Sequence, residues 1–391
     1  MDNETIIKCP EVLSESQTSL IVSLSWWINI FACICVGILG LVLNLVSIIV
    51  LLTPQMWNSF FNRLMMCLSV YDSGFVLCGF IEIARHHWGS TKFPQYLFAN
   101  ILYPLRSILM CNSIYTTIGL TLERYQAIVY PIQHRNRNLD TPTGRRVIIF
   151  ILPVMAFSLA YYSPKFFDLH VQETLSCPTN ESLVLNHTDI ELPVQEEDCA
   201  VRYMILPTAL RTNDQYIFWY INISNIIVTC LIPIGILVVM NCRIMLGLKN
   251  FRQRRPAAIN GGKDIASENG KPRNNNNDRD VKQVFILFYT VILFIVCHAL
   301  RIIMNITDCI NLGKRSADVL VKCENSLSFW QHLSMMFSEF LLILNCSSKI
   351  FVLMFFDKIF QKIVVERVAR LKRFFVKPAP LQPATMELDE F

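Results

Sequence analysis

Residues Phe98–Val129 read FANILYPLRSILMCNSIYTTIGLTLERYQAIV, with only Arg106, Glu123 and Arg124 charged. About 20 apolar residues in a row are enough for a helix to cross a hydrocarbon core. This stretch exceeds that length, and its charges lie away from its centre. It reads as a membrane span.

Six further runs have the same character: Ser25–Leu52, Phe61–Ala84, Val147–Ser163, Tyr216–Leu246, Val281–Ile306 and Leu327–Phe356. Composition agrees. The 391 residues are 53% hydrophobic and 17% charged, less charged than a soluble chain of that length. The segments between the runs are rich in turn residues and charge and hold no soluble domain. The fold class expected is therefore all-α, a seven-transmembrane helix bundle.

Lys and Arg set the expected orientation. With the amino terminus outside, the inner segments and the span ends Arg63, Arg243 and Lys282 hold 22 Lys/Arg and 10 Asp/Glu, against 9 and 16 in the outer segments. Inner segments of membrane proteins are enriched in Lys and Arg, so the reverse orientation is rejected. The acidic outer face attracts a basic ligand, although a merely solvated surface has the same composition. Residues Met1–Ser16 are acidic and lack the basic start and apolar middle of a signal peptide. The first span is expected to act as its own insertion signal.

Glycosylation sequons at Asn3, Asn180 and Asn186 all fall on the outer side. Asn305 sits at a span end, close to the membrane. Five of the 14 cysteines lie outside the spans: Cys9, Cys177, Cys199, Cys309 and Cys323. An oxidising exterior permits disulfides. The local pairings are Cys177 with Cys199 and Cys309 with Cys323; Cys9 can compete, and spacing leaves the connectivity open.

The chain then divides into an outer tail (1–24), the membrane domain (25–356), an amphipathic helix (357–376) and a tail (377–391). Within the domain, the inner loop 250–280 is basic and Asn-rich and is expected to be disordered. In the amphipathic helix, Ile359, Phe360, Ile363, Val364, Val368 and Leu371 share one side, with Lys358, Lys362, Arg367, Arg370, Lys372 and Arg373 on the other. It is expected to lie on the inner leaflet of the lipid bilayer.

Ionisable residues inside spans are costly, which makes each a functional candidate. They are Asp72, Glu82, Arg106, Glu123, Arg124, Arg301, Glu339 and Lys349.

Glu123-Arg124-Tyr125 ends the third span and continues through Ala127-Ile128-Val129-Tyr130 to Pro131. It resembles the Asp/Glu-Arg-Tyr signature of rhodopsin-like G-protein-coupled receptors. Asn44, Leu68-Ser69 before Asp72, Trp88, Pro233 and Asn345 match the same family at the right spacings, over nearly the whole chain. A closer resemblance is to invertebrate FMRFamide-like and myosuppressin-like peptide receptors. Leu206–Tyr216 and Asn345-Cys346-Ser347-Ser348 carry it. The resemblance implies a peptide ligand outside and a heterotrimeric G protein inside, with Gln133–Arg146 and Arg243–Lys282 as its basic docking surface.

Three departures stand out. Ala99 occupies the place of the family's bridging Cys at the outer end of the third span. The Cys-Trp-x-Pro of the sixth span reads Cys297-His298-Ala299-Leu300. The Asn-Pro-x-x-Tyr of the seventh reads Lys349-Ile350-Phe351-Val352-Leu353. Two switch residues are thus replaced, which keeps a non-signalling decoy or scaffold receptor open.

Three constellations follow from the resemblance. In the inner one, Arg124, with Glu123 and Tyr125 beside it, ties the third span to Asp280 in the resting state; the alternative leaves Asp280 solvated. In the middle one, Asp72 pairs with Lys349 where relatives hold sodium; the alternative has Lys349 snorkelling to the inner surface. In the outer one, Glu82, Arg106, Arg301 and Glu339 share a ligand pocket walled by Tyr103, Trp219 and His298. A peptide's guanidinium would meet a carboxylate there. The alternative is a structural salt-bridge network with the peptide held by loops. A transporter would need a polar path and often repeated halves, and no repeat is seen. No nucleophile–base pair or metal motif points to an enzyme, and nothing calls for a cofactor or nucleic acid.

Overall fold

The computed structural model describes residues 14–87, 91–176, 200–259, 275–314, 329–356 and 358–375. Asn3, Asn180, Asn186, Cys9, Cys177, Cys199 and Cys323 lie outside them.

Every apolar run forms a helix. Hydrocarbon offers no water to backbone N–H and C=O groups, so they must pair within the segment. The helices are α1 (Glu15–Leu51), α2 (Phe60–His87), α3 (Lys92–Val129), α4 (Thr143–Tyr162), α5 (Asp214–Gly247, continuing to Ile259), α6 (Asn275–Lys314), α7 (Phe329–Phe356) and α8 (Lys358–Phe375). Six of them are long and apolar enough to cross a membrane by the described residues alone.

Several helices overrun their apolar runs. Ser14 caps α1 ten residues before the first run begins: its Oγ accepts from Gln17 N at 3.3 Å, and its own N donates to Gln17 Oε1 at 3.1 Å. The expectation of disorder over 250–280 is corrected at both ends. Residues 250–259 and 275–280 are helical, because a nucleated helix propagates into polar sequence. Residues 260–274 lie outside the description.

Two prolines have local consequences. Pro104 and Pro233 each follow a wider π-helical turn, Phe98–Leu102 and Ile227–Leu231. A proline ring collides with the carbonyl four residues earlier and lacks an N–H, and the widened turn absorbs both effects.

The seven long helices close into a ring in the order α1-α2-α3-α5-α6-α7, with α4 packed on α2 and α3. Helix α3 runs through the middle and touches α2, α4, α5 and α6. Close approach depends on small residues. At Gly40 an added Cβ would stand 2.0 Å from Ser347 Oγ. There α1 meets the α7 backbone, and Asn44 Nδ2 donates to the Cys346 carbonyl at 3.2 Å.

Two apolar clusters form the core. One joins Phe75, Met110, Ile114, Leu237, Val291, Phe294 and Ile343 across five helices. The other, toward the Glu123 end, joins Val50, Leu64, Leu120, Phe360 and Ile363. Helix α8 therefore does more than lie on lipid: Phe360 and Ile363 are buried against the bundle, while Val365 stays exposed. The outward faces are apolar as well, with Ile38, Val42, Leu45, Ile149, Leu152 and Val239 exposed. Such a surface suits hydrocarbon as its solvent.

One element departs from the helical plan. Strands β1 (Leu169–Ser176) and β2 (Ala200–Pro207) form an antiparallel hairpin, paired from Leu169 with Pro207 to Ser176 with Ala200. It lies beyond α4, where irregular backbone has water to satisfy it. Its end of the bundle is called outer below, and the Glu123 end inner, as the charge distribution assigns them.

Candidate functional site

The outer charges do not form one group. Arg106 Nη1 donates to Glu82 Oε2 at 2.7 Å, and its Nη2 donates to Glu339 Oε2. One guanidinium on α3 thus ties α2 and α7. It also lies 4.7 Å above the Phe75 ring. The side chains of Arg106, Glu82 and Glu339 are 19%, 31% and 47% exposed, so the carboxylates face the outer opening more than the cation does. With both acids ionised the triad carries one net negative charge.

Arg301 stands apart from this triad. Its Nη1 lies 3.0 Å from Met110 Sδ, a weak acceptor, and among the described residues it has no carboxylate within 4.0 Å. Two residues that sequence reasoning passed over belong on its side of the bundle. Lys165 Nζ donates to Ser107 Oγ at 2.9 Å and lies over the rings of Tyr103 and Tyr162, at 5.1 and 5.2 Å. Asp168 is fully buried and accepts from Tyr216 Oη at 2.7 Å and Tyr103 Oη at 3.2 Å. Both residues follow the fourth apolar run directly, in Pro164-Lys165-Phe166-Phe167-Asp168. An acid and a base held among aromatics at a span end are the available signal, although composition alone gives them the look of loop charge.

Of the expected pocket walls, Tyr103 joins Lys165 to Asp168. His298 is fully buried one turn below Arg301, its ring 4.2 Å from Phe294. Trp219 is not brought to the others. It is 60% exposed, and its Nε1 donates to Gln215 Oε1 on its own helix at 3.1 Å. Helical phase places it on the outward face of α5, while Tyr216 and Tyr220, stacked 4.9 Å apart, face inward.

At mid-bundle, Asp72 is buried and accepts from Ser113 Oγ at 2.6 Å. The Lys349 side chain lies outside the description, as does that of Asp280, so the two pairings expected of them do too.

At the inner end Glu123 is saturated. Its carboxylate accepts from His134 Nε2 at 2.8 Å and from Arg146 Nη2 at 3.2 Å. It makes no ion pair with Arg124, since successive helix residues point about 100° apart. Arg124 instead places its guanidinium carbon 3.7 Å from the centre of the Phe61 ring, a cation–π contact with α2. Tyr125 meets Tyr130 edge to face at 5.8 Å. The carboxylate therefore fastens α3 to the short helix Pro131–Asp140 and to α4.

Seven helices, a central α3, a Glu-Arg-Tyr with a buried Glu123 at its inner end and an ionic triad at the outer end coincide with a match to the family model for 7 transmembrane receptors of the rhodopsin family, over residues 43–348. The chain belongs to that family. It is a multi-pass membrane receptor and not an enzyme. It is 27% identical over 281 residues to the "FMRFamide receptor" of Drosophila melanogaster, covering 70% of this chain and 44% of that protein. It is 22% identical over 219 residues to the "Probable G-protein coupled receptor AH9.1" of Caenorhabditis elegans, covering 54% of this chain and 46% of that protein. The chain thus spans under half the length of either curated relative.

Proposed function

We propose that this receptor sits in the plasma membrane with its amino terminus outside, binds a C-terminally amidated FMRFamide-like peptide, and passes the signal to a heterotrimeric G protein. The observation that carries the proposal is the Glu82–Arg106–Glu339 triad. Two carboxylates share one guanidinium, so one further cation restores neutrality. The arginine of an Arg-Phe-amide terminus supplies that cation with a planar, bidentate fork that suits a carboxylate. The half-exposed Glu339 is the first group it would reach. The name of the Drosophila relative supports the same ligand class.

Binding there competes with Arg106 for Glu339 and so loosens the tie between α3 and α7. A ligand shifts the helix bundle only by its differential affinity for the two arrangements, and this exchange of partners is a source of it. At the inner end, Gln133–Arg146 and Arg243–Lys282 offer the basic surface for the G protein.

The test is a screen of amidated peptides on cells expressing the chain, read by calcium and by cAMP. Phe-Met-Arg-Phe-amide is expected to act, and its citrulline analogue to lose potency at least tenfold, the scale of a charge-assisted hydrogen bond. With Glu82→Gln and Glu339→Gln together, arginine and citrulline peptides become equivalent. A full arginine preference in that double variant would sink the proposal. Binding without either messenger response would favour the decoy reading, which the replacements at His298, Leu300, Lys349 and Leu353 motivate.

A further inference from the structure

The outer end of the bundle has a second charged side, and its sign is opposite to that of the triad. Lys165, Arg211 and Arg301 are all half-buried, and none has a carboxylate within 4.0 Å among the described residues. The charges of Arg301, Arg211 and Asp168 all reach Lys165, and those of Arg211 and Arg301 reach Tyr103 as well. Asp168 is the one acid among them, and tyrosine hydroxyls occupy both of its oxygens. Arg211, Arg301 and Lys165, whose ammonium is pushed down to about 7 by burial and the two guanidiniums, face one anion, so the group carries an excess of between one and two positive charges at the outer rim of a low-dielectric bundle. Holding such charges without a counterion costs several kcal/mol, and a carboxylate placed between them offsets that cost.

Arg301 is the clearest sign of a missing partner. Arginine stays charged in any protein environment, yet the polar atom that Arg301 Nη1 meets is the Met110 thioether. Its five donors are matched in shape to a carboxylate fork. The tyrosines Tyr103, Tyr162 and Tyr216 line the same wall and hold Lys165 and Asp168 in place, so the cations are positioned in advance.

We infer that Arg301, with Lys165 and Arg211, forms an anion subsite that binds the carboxylate of an acidic residue in the peptide ligand, upstream of the arginine held by Glu82 and Glu339. This deepens the proposed function and rests on its peptide ligand. The outer end is polarised: the α2–α3–α7 side draws a cation and the α3–α4–α5–α6 side draws an anion. A peptide with an acid at one distance from its arginine satisfies both, and its register is set by that distance.

Two experiments test it. The first uses pairs of peptides built on Phe-Met-Arg-Phe-amide and extended at the amino end by one to four residues, with Asp or Asn at the first position. At one spacing the Asp peptide is expected to bind at least tenfold more tightly than its Asn twin. Arg301→Gln brings that ratio to near one, Lys165→Gln reduces it, and Arg301→Lys keeps part of it. The absence of an Asp preference at every spacing, or its survival in Arg301→Gln, would overturn the inference.

The second needs no peptide. The purified receptor is melted in sodium glutarate and in sodium chloride of equal ionic strength. Glutarate is expected to raise the melting temperature of the unmodified chain and not that of Arg301→Gln, whose surface expression checks its folding. Equal melting in both salts counts against the subsite. If Phe-Met-Arg-Phe-amide peptides fail to bind at all, the proposed ligand class falls, while the glutarate comparison still decides the anion site.

Discussion

At the outer end one cation holds two carboxylates; at the inner end one carboxylate is held by an arginine and a histidine. The difference is more than sign. Glu82 and Glu339 keep 31% and 47% of their side-chain surface open, whereas Glu123 keeps 8% and its partners His134 and Arg146 keep 19% and 10%. An exposed, undersaturated ion group exchanges partners readily. A buried, saturated one is a fastener. The outer triad joins α2, α3 and α7. The inner carboxylate joins α3 to α4 and the short inner helix, and among the described residues its fastening does not include α6. The two ends of α3 therefore differ in kind: under the proposed function the outer one receives the ligand, while the inner one holds the scaffold together.

Breaking the fastener is expected to have the largest effect on stability. Glu123→Ala leaves the Arg146 guanidinium buried without its carboxylate and strips His134 of its partner, which costs roughly 3 kcal/mol. It should appear as the largest fall in melting temperature among these variants in detergent. A smaller fall than that caused by Arg106→Gln would invert the comparison. Arg106→Gln comes next. It leaves two carboxylates facing each other, but Glu339 is half-exposed and screened by solvent, so the expected cost is about 1–2 kcal/mol.

Glu339→Gln sharpens the contrast between stability and reception. Its effect on melting is expected to stay below about 1 kcal/mol, while the potency of arginine peptides falls about tenfold. Radioligand competition beside thermal denaturation reads both. Trp219→Ala is expected to do least, with potency within about twofold of the unmodified receptor, because the ring faces outward from the bundle. A large loss there would place α5's outward face in the site and redraw its boundary.

Much of this receptor is legible without coordinates. Hydrocarbon thickness and backbone hydrogen bonding act on each segment alone, so apolar run length located all seven helices. The intact Glu123-Arg124-Tyr125 located the inner end of α3 in the same way. The cost of charge in lipid singled out Glu82, Arg106 and Glu339. What escaped were relations between segments. Lys165 and Asp168 looked like loop residues because they follow the apolar run by a single turn. Trp219 was placed in the pocket because one helix face was taken for another. Arg301 was expected beside the two acids and instead lies against Met110.

Span length, the charge bias between the two sides and the identity of the charges within the membrane were thus determined by the sequence itself, since each depends on local composition and its solvent. Which charges meet was decided by tertiary structure alone. A few tens of degrees of helix rotation carries a guanidinium from a carboxylate to a sulfur, and no one-dimensional pattern records that angle. Arg106 reaches two acids, Glu123 turns from Arg124 to His134 and Arg146, and Arg301 lies against the Met110 sulfur.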